Sequence, residues 1–154
     1  MSIHVILVEP EIAWNVGNAG RSCLAAGAQL HLVEPLGFSL SDKSIRRSGL
    51  HYWPAVKPVV WRDWSTLESG LAELGRTWFL SPEAPRELWD ADLGEPVALV
   101  FGRESRGLDV GVRERHRDRL VRVPLAGFDG ISLNLSTAVG IALYEVLRQR
   151  RDRA

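Results

Sequence analysis

The chain has 154 residues, enough for one domain with a real core, and its 45% hydrophobic content is ordinary for a soluble fold. Nineteen basic and nineteen acidic side chains cancel, so net charge indicates no partner, and nucleic-acid binding would need a local patch. A single cysteine excludes an internal disulfide and fits a reducing setting such as the cytoplasm, and no run approaches the ~18 apolar residues of a membrane span.

"MSIHVILVEPE" meets an acidic residue too soon for a signal peptide, so "IHVILV" (Ile3–Val8) reads as a buried first strand. "NVGNAGRSCLAAGA" reads as a helix beginning near Asn15, which is a candidate cap, and closing at Gly27. "QLHLVEP" is a second strand, which makes a parallel βαβ unit. "SDKSIRRSG" is a short helix with Ser41 or Asp42 as cap and Gly49 as stop. "VKPVVW" follows as an edge-like strand. "STLESGLAELG" is an amphipathic helix, with Leu67, Leu71 and Leu74 along one side.

"RTWFLS" is the next strand, and "PEAPRELWDADLGEP" a connection with one turn of helix. "VALVFG" is the strand most clearly marked for burial. A loop and short helix leave it at "RESRGLDVGV", and "LVRVPL" reads as a further strand. The last helix spans about Leu135 to Arg148, apolar nearly all round in its first turns and therefore expected deep in the core, with "RQRRDRA" as a fraying basic tail. Strand–helix alternation of this kind means α/β with a mainly parallel sheet, taken here as one domain over residues 1–150 plus the tail 151–154. Such sheets bind ligands beyond the carboxyl ends of their strands.

Three loops fall at those ends. "NVGNAGR" lacks the dinucleotide-binding glycine spacing, but Arg21 lies within reach of an anion at the helix start. In "LVFGRESRGL", Gly102 leaves bare backbone for a ligand. Glu104 would accept from an amine or a ribose hydroxyl, or else pair on the surface with Arg103 or Arg106. In "VPLAGFDGISLNLS", Ser132, Asn134 and Ser136 alternate, which suits an extended approach to the last helix. One of them caps it, and the others need partners if buried.

His4, His31, His51 and His116 are widely separated, so no metal is expected. His4 and His31 are strand residues, His116 lies on a charged surface, and Cys23 is a small core residue. Lys43, Arg46 and Arg47 precede His51, Tyr52 and Trp53, a basic cluster beside aromatics that suits an exposed RNA loop or a subunit contact. Trp14 allows the same two readings, and six tryptophans make an extensive aromatic interface conceivable.

Taken together, "NVGNAGR", "LVFGRESRGL" and "VPLAGFDGISLNLSTAVGIALYEVLRQ" resemble the three motifs of the SPOUT ribose methyltransferases, in order and over nearly the full chain. "LVEPEI", "DKSIRRSGLHYW" and "YEVLRQ" narrow the resemblance to the short tRNA (cytidine/uridine-34) 2'-O-methyltransferases. The resemblance implies a C-terminal deep trefoil knot, S-adenosylmethionine as cofactor, a homodimer, and the tRNA anticodon stem-loop as substrate. It assigns Leu80, Gly102, Val123 and Ser132 to the adenosine pocket, with Glu104, Leu125, Leu133 and Asn134 completing it. Arg21 corresponds to the arginine that handles the target nucleotide, Asn15, Ser136 and Tyr144 match further functional positions, and Lys43, Arg46, Arg47 and Tyr52 would bind RNA. Two departures border the expected RNA side. Ala13 and Trp14 stand where prolines are common, and Ile131 stands where close relatives carry arginine. Other readings are a non-catalytic RNA-binding protein, a methyltransferase for another tRNA or rRNA site, and a nucleotide-binding α/β protein.

Overall fold

Aliphatic side chains on both sides of "IHVILV" and "VALVF" require cover on both faces, and these two segments become the central pair of the sheet. The structure is a computed structural model that describes residues 2–41 and 43–154. Strand β1 (Ile3–Val8) pairs in parallel with β5 (Val97–Phe101), whose every residue is buried, and on its other side with β2 (Gln29–Val33). β3 (Val59–Trp61) extends one edge, and β4 (Arg76–Leu80) with the two-residue β6 (Leu120–Val121) extends the other. Among the described residues all six strands are parallel, in the order β3-β2-β1-β5-β4-β6.

Helices cover both faces. On one face Val5, Leu7, Leu32, Leu99 and Trp78 pack against α1 (Ala13–Ala26), α2 (Lys43–Gly49), α3 (Trp53–Val56) and α6 (Leu135–Arg153). On the other, Ile6, Val8, Phe79 and Val100 meet Leu67 and Leu71 of α4 (Trp64–Leu74) and Val112 of α5 (Val110–Arg115). Leu74 is half-buried at the end of the predicted apolar side of α4. Asp63 caps that helix by accepting from Thr66 N–H at 2.7 Å.

Several expectations change. α1 starts at Ala13, with Ile12 in the cap position, so Asn15 lies inside the first turn, buried, and does not cap it. Gly27 closes the helix at φ 70°, as expected. α2 ends at Gly49, but the chain runs straight into a 3-10 turn (Leu50–Tyr52) and α3. Of its two candidate caps, Asp42 lies outside the described residues and Ser41 shares a hydrogen bond with Ser39 at 2.7 Å. The "LVRVPL" strand shrinks to two residues because Arg122 turns to the 84–88 segment, receiving Leu88 N–H at 2.8 Å. α6 continues through Arg153 and does not fray. Its last turns are held by Gln149, which bonds Leu93 N and Ala91 O, and by Arg153 to Asp92. Val139, Ala142, Leu143 and Val146 put one side of its apolar run in the core, as expected, but Thr137 and Tyr144 are exposed on the other, so the burial is not all round.

His4 and His31 share the α4 face as a chain of hydrogen bonds. Trp61 Nε1 donates to His31 Nδ1 at 3.1 Å, which leaves His31 Nε2 to donate to His4 Nδ1 at 2.9 Å. Burial lowers both imidazole pKa values, that of His31 to about 4. The unfolded chain therefore takes up protons between about pH 6.5 and 4 that the folded chain refuses. Stability is full above that window and falls through it by about 2–3 kcal/mol on acidification. Urea unfolding at stepped pH should show the fall, and a His31→Leu variant should flatten it. His116 is not on the open surface, since its ring stacks on Phe79 at 4.2 Å between centroids. Cys23 is buried in the core, where desolvation pushes its thiol up to about 12.

Candidate functional site

The ends of β1, β4, β5 and β6 point the same way in a parallel sheet, so the loops that leave them meet at one end. The first loop is tied to the second by reciprocal bonds. Glu11 N–H donates to Glu104 Oε2 at 2.7 Å, while Glu11 Oε1 accepts from Ser105 Oγ at 2.6 Å and Ser105 N at 3.2 Å. Arg103 adds a second tie, pairing with Glu9 at 3.2 Å and with Asp109. Glu104 thus pairs with neither Arg103 nor Arg106; it holds the first loop. Desolvation raises its carboxyl pKa from the ordinary value, against the lowering pull of the Glu11 N–H, and its Oε1 is buried without a partner. Glu104 lines the cleft beside this tie.

The third loop is held through Asn134. Its Oδ1 accepts from Ser136 N at 3.0 Å, Ser136 Oγ at 2.7 Å and Thr137 N at 3.4 Å, so Asn134 is the cap of α6. Its Nδ2 donates to Asn15 Oδ1 at 2.9 Å and so joins α6 to α1. The alternating polar residues thus divide their roles: Asn134 caps, Ser136 leans on it, and Ser132 is left exposed. Asn134→Ala removes a cap and strands the buried Asn15 carbonyl, each worth about 1 kcal/mol. A loss near 2 kcal/mol is expected in denaturant unfolding, against little change for Ser132→Ala.

The three loops enclose a cleft of about 660 Å³, within the usual range for a small-molecule site. Every residue assigned to the cofactor pocket lines it: Leu80, Gly102, Glu104, Val123, Leu125, Ser132, Leu133 and Asn134, together with Asn15. Leu80, Val123, Leu125 and Leu133 give apolar walls, and Ser132, Asn134 and Glu104 supply polar groups. Gly102 is needed for a reason other than the expected one. A Cβ there would stand 2.2 Å from Gly107 C and 2.3 Å from Leu108 N, so its missing side chain makes room for this chain's own 107–108 backbone. The turn closes by Gly107 N donating to Arg103 O at 2.8 Å, with Gly107 at φ 64°.

Arg21, Ser136 and Tyr144 are not in the cleft wall. Arg21 is exposed on α1, its guanidinium 5.0 Å from the centre of the Tyr52 ring, and Tyr144 is exposed on α6. Lys43, Arg46 and Arg47 are exposed on α2. Among the tryptophans, Trp78 is buried in the core, and Trp53, Trp61 and Trp64 are half-buried against it or the cluster on the other face. Only Trp14 and Trp89 are exposed, too few for the extensive aromatic interface. Ile131 is 59% exposed. Sequence reading missed Glu11, Ser105 and Arg103 as the ties between loops. Nothing local marks them, since Glu11 and Ser105 are 94 positions apart. Among the described residues no His, Cys, Asp and Glu side chains form a group of three that could hold a metal.

The family model for the SpoU rRNA methylase family matches residues 2–144. A tRNA (cytidine(34)-2'-O)-methyltransferase of Saccharophagus degradans is 39% identical over 147 residues, covering 95% of this chain and 94% of the relative. One of Burkholderia ambifaria with the same name is 39% identical over 148 residues, with 95% and 94% covered. A solved structure described as giving insights into the 2-OH methylation of C/U34 on tRNA superimposes with a TM-score of 0.92 at 38% identity, covering 99% of this chain and 98% of that one. The SpoU methyltransferase AviRb of Streptomyces viridochromogenes, in complex with the cofactor AdoMet, has a TM-score of 0.83 at 26% identity, covering 96% of this chain and 57% of that one.

Proposed function

The chain belongs to the SpoU rRNA methylase family, and from that premise we propose that it methylates the ribose 2'-oxygen of nucleotide 34 of tRNA, a cytidine or a modified uridine, using S-adenosylmethionine. The carrying observation is the convergence of three sequence-distant loops on one cleft. Bound there, the cofactor supplies an electrophilic methyl group. The chain's residues do the rest. Leu80, Val123, Leu125 and Leu133 offer apolar surface to the adenine. Ser132, Asn134 and Glu104 offer polar contacts, and the Glu11–Glu104 tie keeps the walls in place before ligand arrives.

Arg21 clamps the target phosphate and stabilises the ribose oxygen as its proton leaves. A guanidinium stays protonated in proteins, so Arg21 is not the base. Ser136 donates its O–H to Asn134 Oδ1, which leaves its lone pairs for an incoming donor. The proton departs through phosphate, water or such a side chain. Asn15 holds Asn134 in place from inside α1, and Tyr144 extends the site along α6. Lys43, Arg46 and Arg47 provide cations for the anticodon stem-loop.

Three further elements belong to this reading. Residues 1–150 form one methyltransferase domain, with 151–154 as a basic end. Its C-terminal segment threads a trefoil knot. What supports the knot is the 81–96 connection, which bonds to Arg122 through Arg86 and Leu88 and to α6 through Gln149. The active unit is a homodimer, for which the exposed Ile12, Trp14, Phe128, Ile131 and Tyr144 offer apolar surface near the cleft and along α6. The setting is the cytoplasm, where Cys23 stays unpaired. Among the described residues no helix is long and apolar enough to cross a membrane.

Methyl transfer from labelled cofactor to total tRNA, followed by nucleoside mapping, tests the activity. Label at nucleotide 34 is expected. Label elsewhere in tRNA or only in rRNA would move the target to the reading that Trp14 and Ile131 leave open, and tRNA binding without transfer would reduce the chain to an RNA-binding protein. Sedimentation tests the dimer, and an active mixture of an Arg21 variant with a Gly102 variant, each inactive alone, would show that the subunits share a site.

A further inference from the structure

Arg21 is an exposed cation whose contact in this fold is an aromatic face. Gly20, just before it, explains how that face arrives. A Cβ on Gly20 would lie 3.1 Å from both methyl carbons of Val56 and 3.2 Å from the Trp53 ring. The glycine therefore lets the 51–56 segment sit directly on α1. Tyr52 in that segment is half-buried, its ring braced by His51 at 4.1 Å between centroids and placed 5.0 Å under the Arg21 guanidinium. This distance is inside the range at which a ring quadrupole attracts a cation.

We propose that Tyr52 is a positioning residue for Arg21, and that its ring holds the guanidinium in place for the phosphate and ribose of the target nucleotide. The inference rests on the role given to Arg21 in the proposed function. Its physical content lies in the choice of an aromatic partner over an acidic one. A carboxylate would orient the guanidinium but would neutralise it and occupy its fork. An aromatic face restrains the group while its five N–H donors and full charge stay available. Among the described residues Arg21 has no ion-pair partner, whereas Arg103, Arg113, Arg115 and Arg122 are all ion-paired. Tyr52 also follows α2 directly through the 3-10 turn. RNA seated on Lys43, Arg46 and Arg47 would thus bear on the segment that holds Arg21.

The test is a double-mutant cycle in the full chain, read as the single-turnover rate of methyl transfer at saturating tRNA, with tRNA affinity measured separately. Tyr52→Leu is expected to slow transfer about tenfold with tRNA affinity within about twofold. Tyr52→Phe, which restores the ring, should recover most of that rate. In an Arg21→Ala background Tyr52→Leu should cost nothing further, because the group it positions is gone. An equal loss in both backgrounds would make Tyr52 a packing residue and overturn the proposal. Weaker tRNA binding with an unchanged saturated rate would make the ring a base-stacking platform and overturn it equally. If Tyr52→Leu does not fold, Tyr52→Met takes its place in the cycle. A fully active Arg21→Ala enzyme would sink the role of Arg21 itself, a different failure from a silent Tyr52 beside an essential Arg21.

Discussion

Replacing Gly102 by alanine is expected to weaken S-adenosylmethionine binding by about a hundredfold or more and to destabilise the fold by about 2 kcal/mol. The added methyl would overlap backbone atoms, Gly107 C at 2.2 Å and Leu108 N at 2.3 Å. A flexible neighbour could swing aside, but a turn closed by the Arg103–Gly107 bonds cannot move without carrying Glu104 with it. Glu104 in turn holds Glu11, so the disturbance reaches the opposite wall of the cleft. Ser132→Ala gives the contrast. That hydroxyl is exposed and makes no hydrogen bond among the described residues, so its loss should cost binding only about three- to tenfold, the worth of one hydrogen bond. Calorimetric titration of both variants, with unfolding curves alongside, checks the ordering. Equal and small effects would show that the cleft does not depend on the 102–107 turn.

The second large effect is expected at Arg21. With alanine there, the maximal rate on tRNA should fall about 10²- to 10³-fold, the usual cost of deleting one donor to a developing oxyanion. Cofactor affinity should hold, because Arg21 is not part of the cleft wall. Arg21→Lys separates charge from shape. Lysine keeps the positive end but lacks the planar fork, so a rate still reduced about tenfold supports two-point contact with phosphate and ribose. Full turnover in the lysine enzyme with normal tRNA binding would exclude that contact. Measuring rate at saturating tRNA and affinity by filter binding keeps the two quantities apart.

What could be read from the sequence followed the reach of each interaction. Strand cores such as Val97–Phe101 are announced by their own residues, and so is the αL stop at Gly27. The motif resemblance pointed to residues from three loops, and all eight of the cofactor assignments line the cleft. Relations between distant residues were not legible. Glu104 looked like a ligand group or half of a surface ion pair, because its partner, the Glu11 amide, is 93 positions away. The vacancy at Gly102 looked like room for a ligand, because the 107–108 backbone that fills it returns only after a turn. Asn15 looked like a cap, because nothing local shows that Ile12 takes that place or that Asn134 claims the Asn15 side chain. α6 outran its predicted end because Gln149 and Arg153 find partners at Leu93, Ala91 and Asp92. Composition alone made that tail look solvent-bound.

The Asn15–Asn134 bond has a consequence for how the protein comes off the ribosome. One partner lies in α1, while the other caps α6, made well over a hundred positions later, which also supplies part of the cover for β1 and β5. Until that helix emerges, the nascent polypeptide has a partly uncovered apolar sheet face and an unfinished binding wall. Contacts spanning most of the chain form slowly, so the partial product is inert and prone to clump meanwhile. A premature stop shortly before residue 134 should therefore leave the cell with no active protein, however much of the sheet has been made.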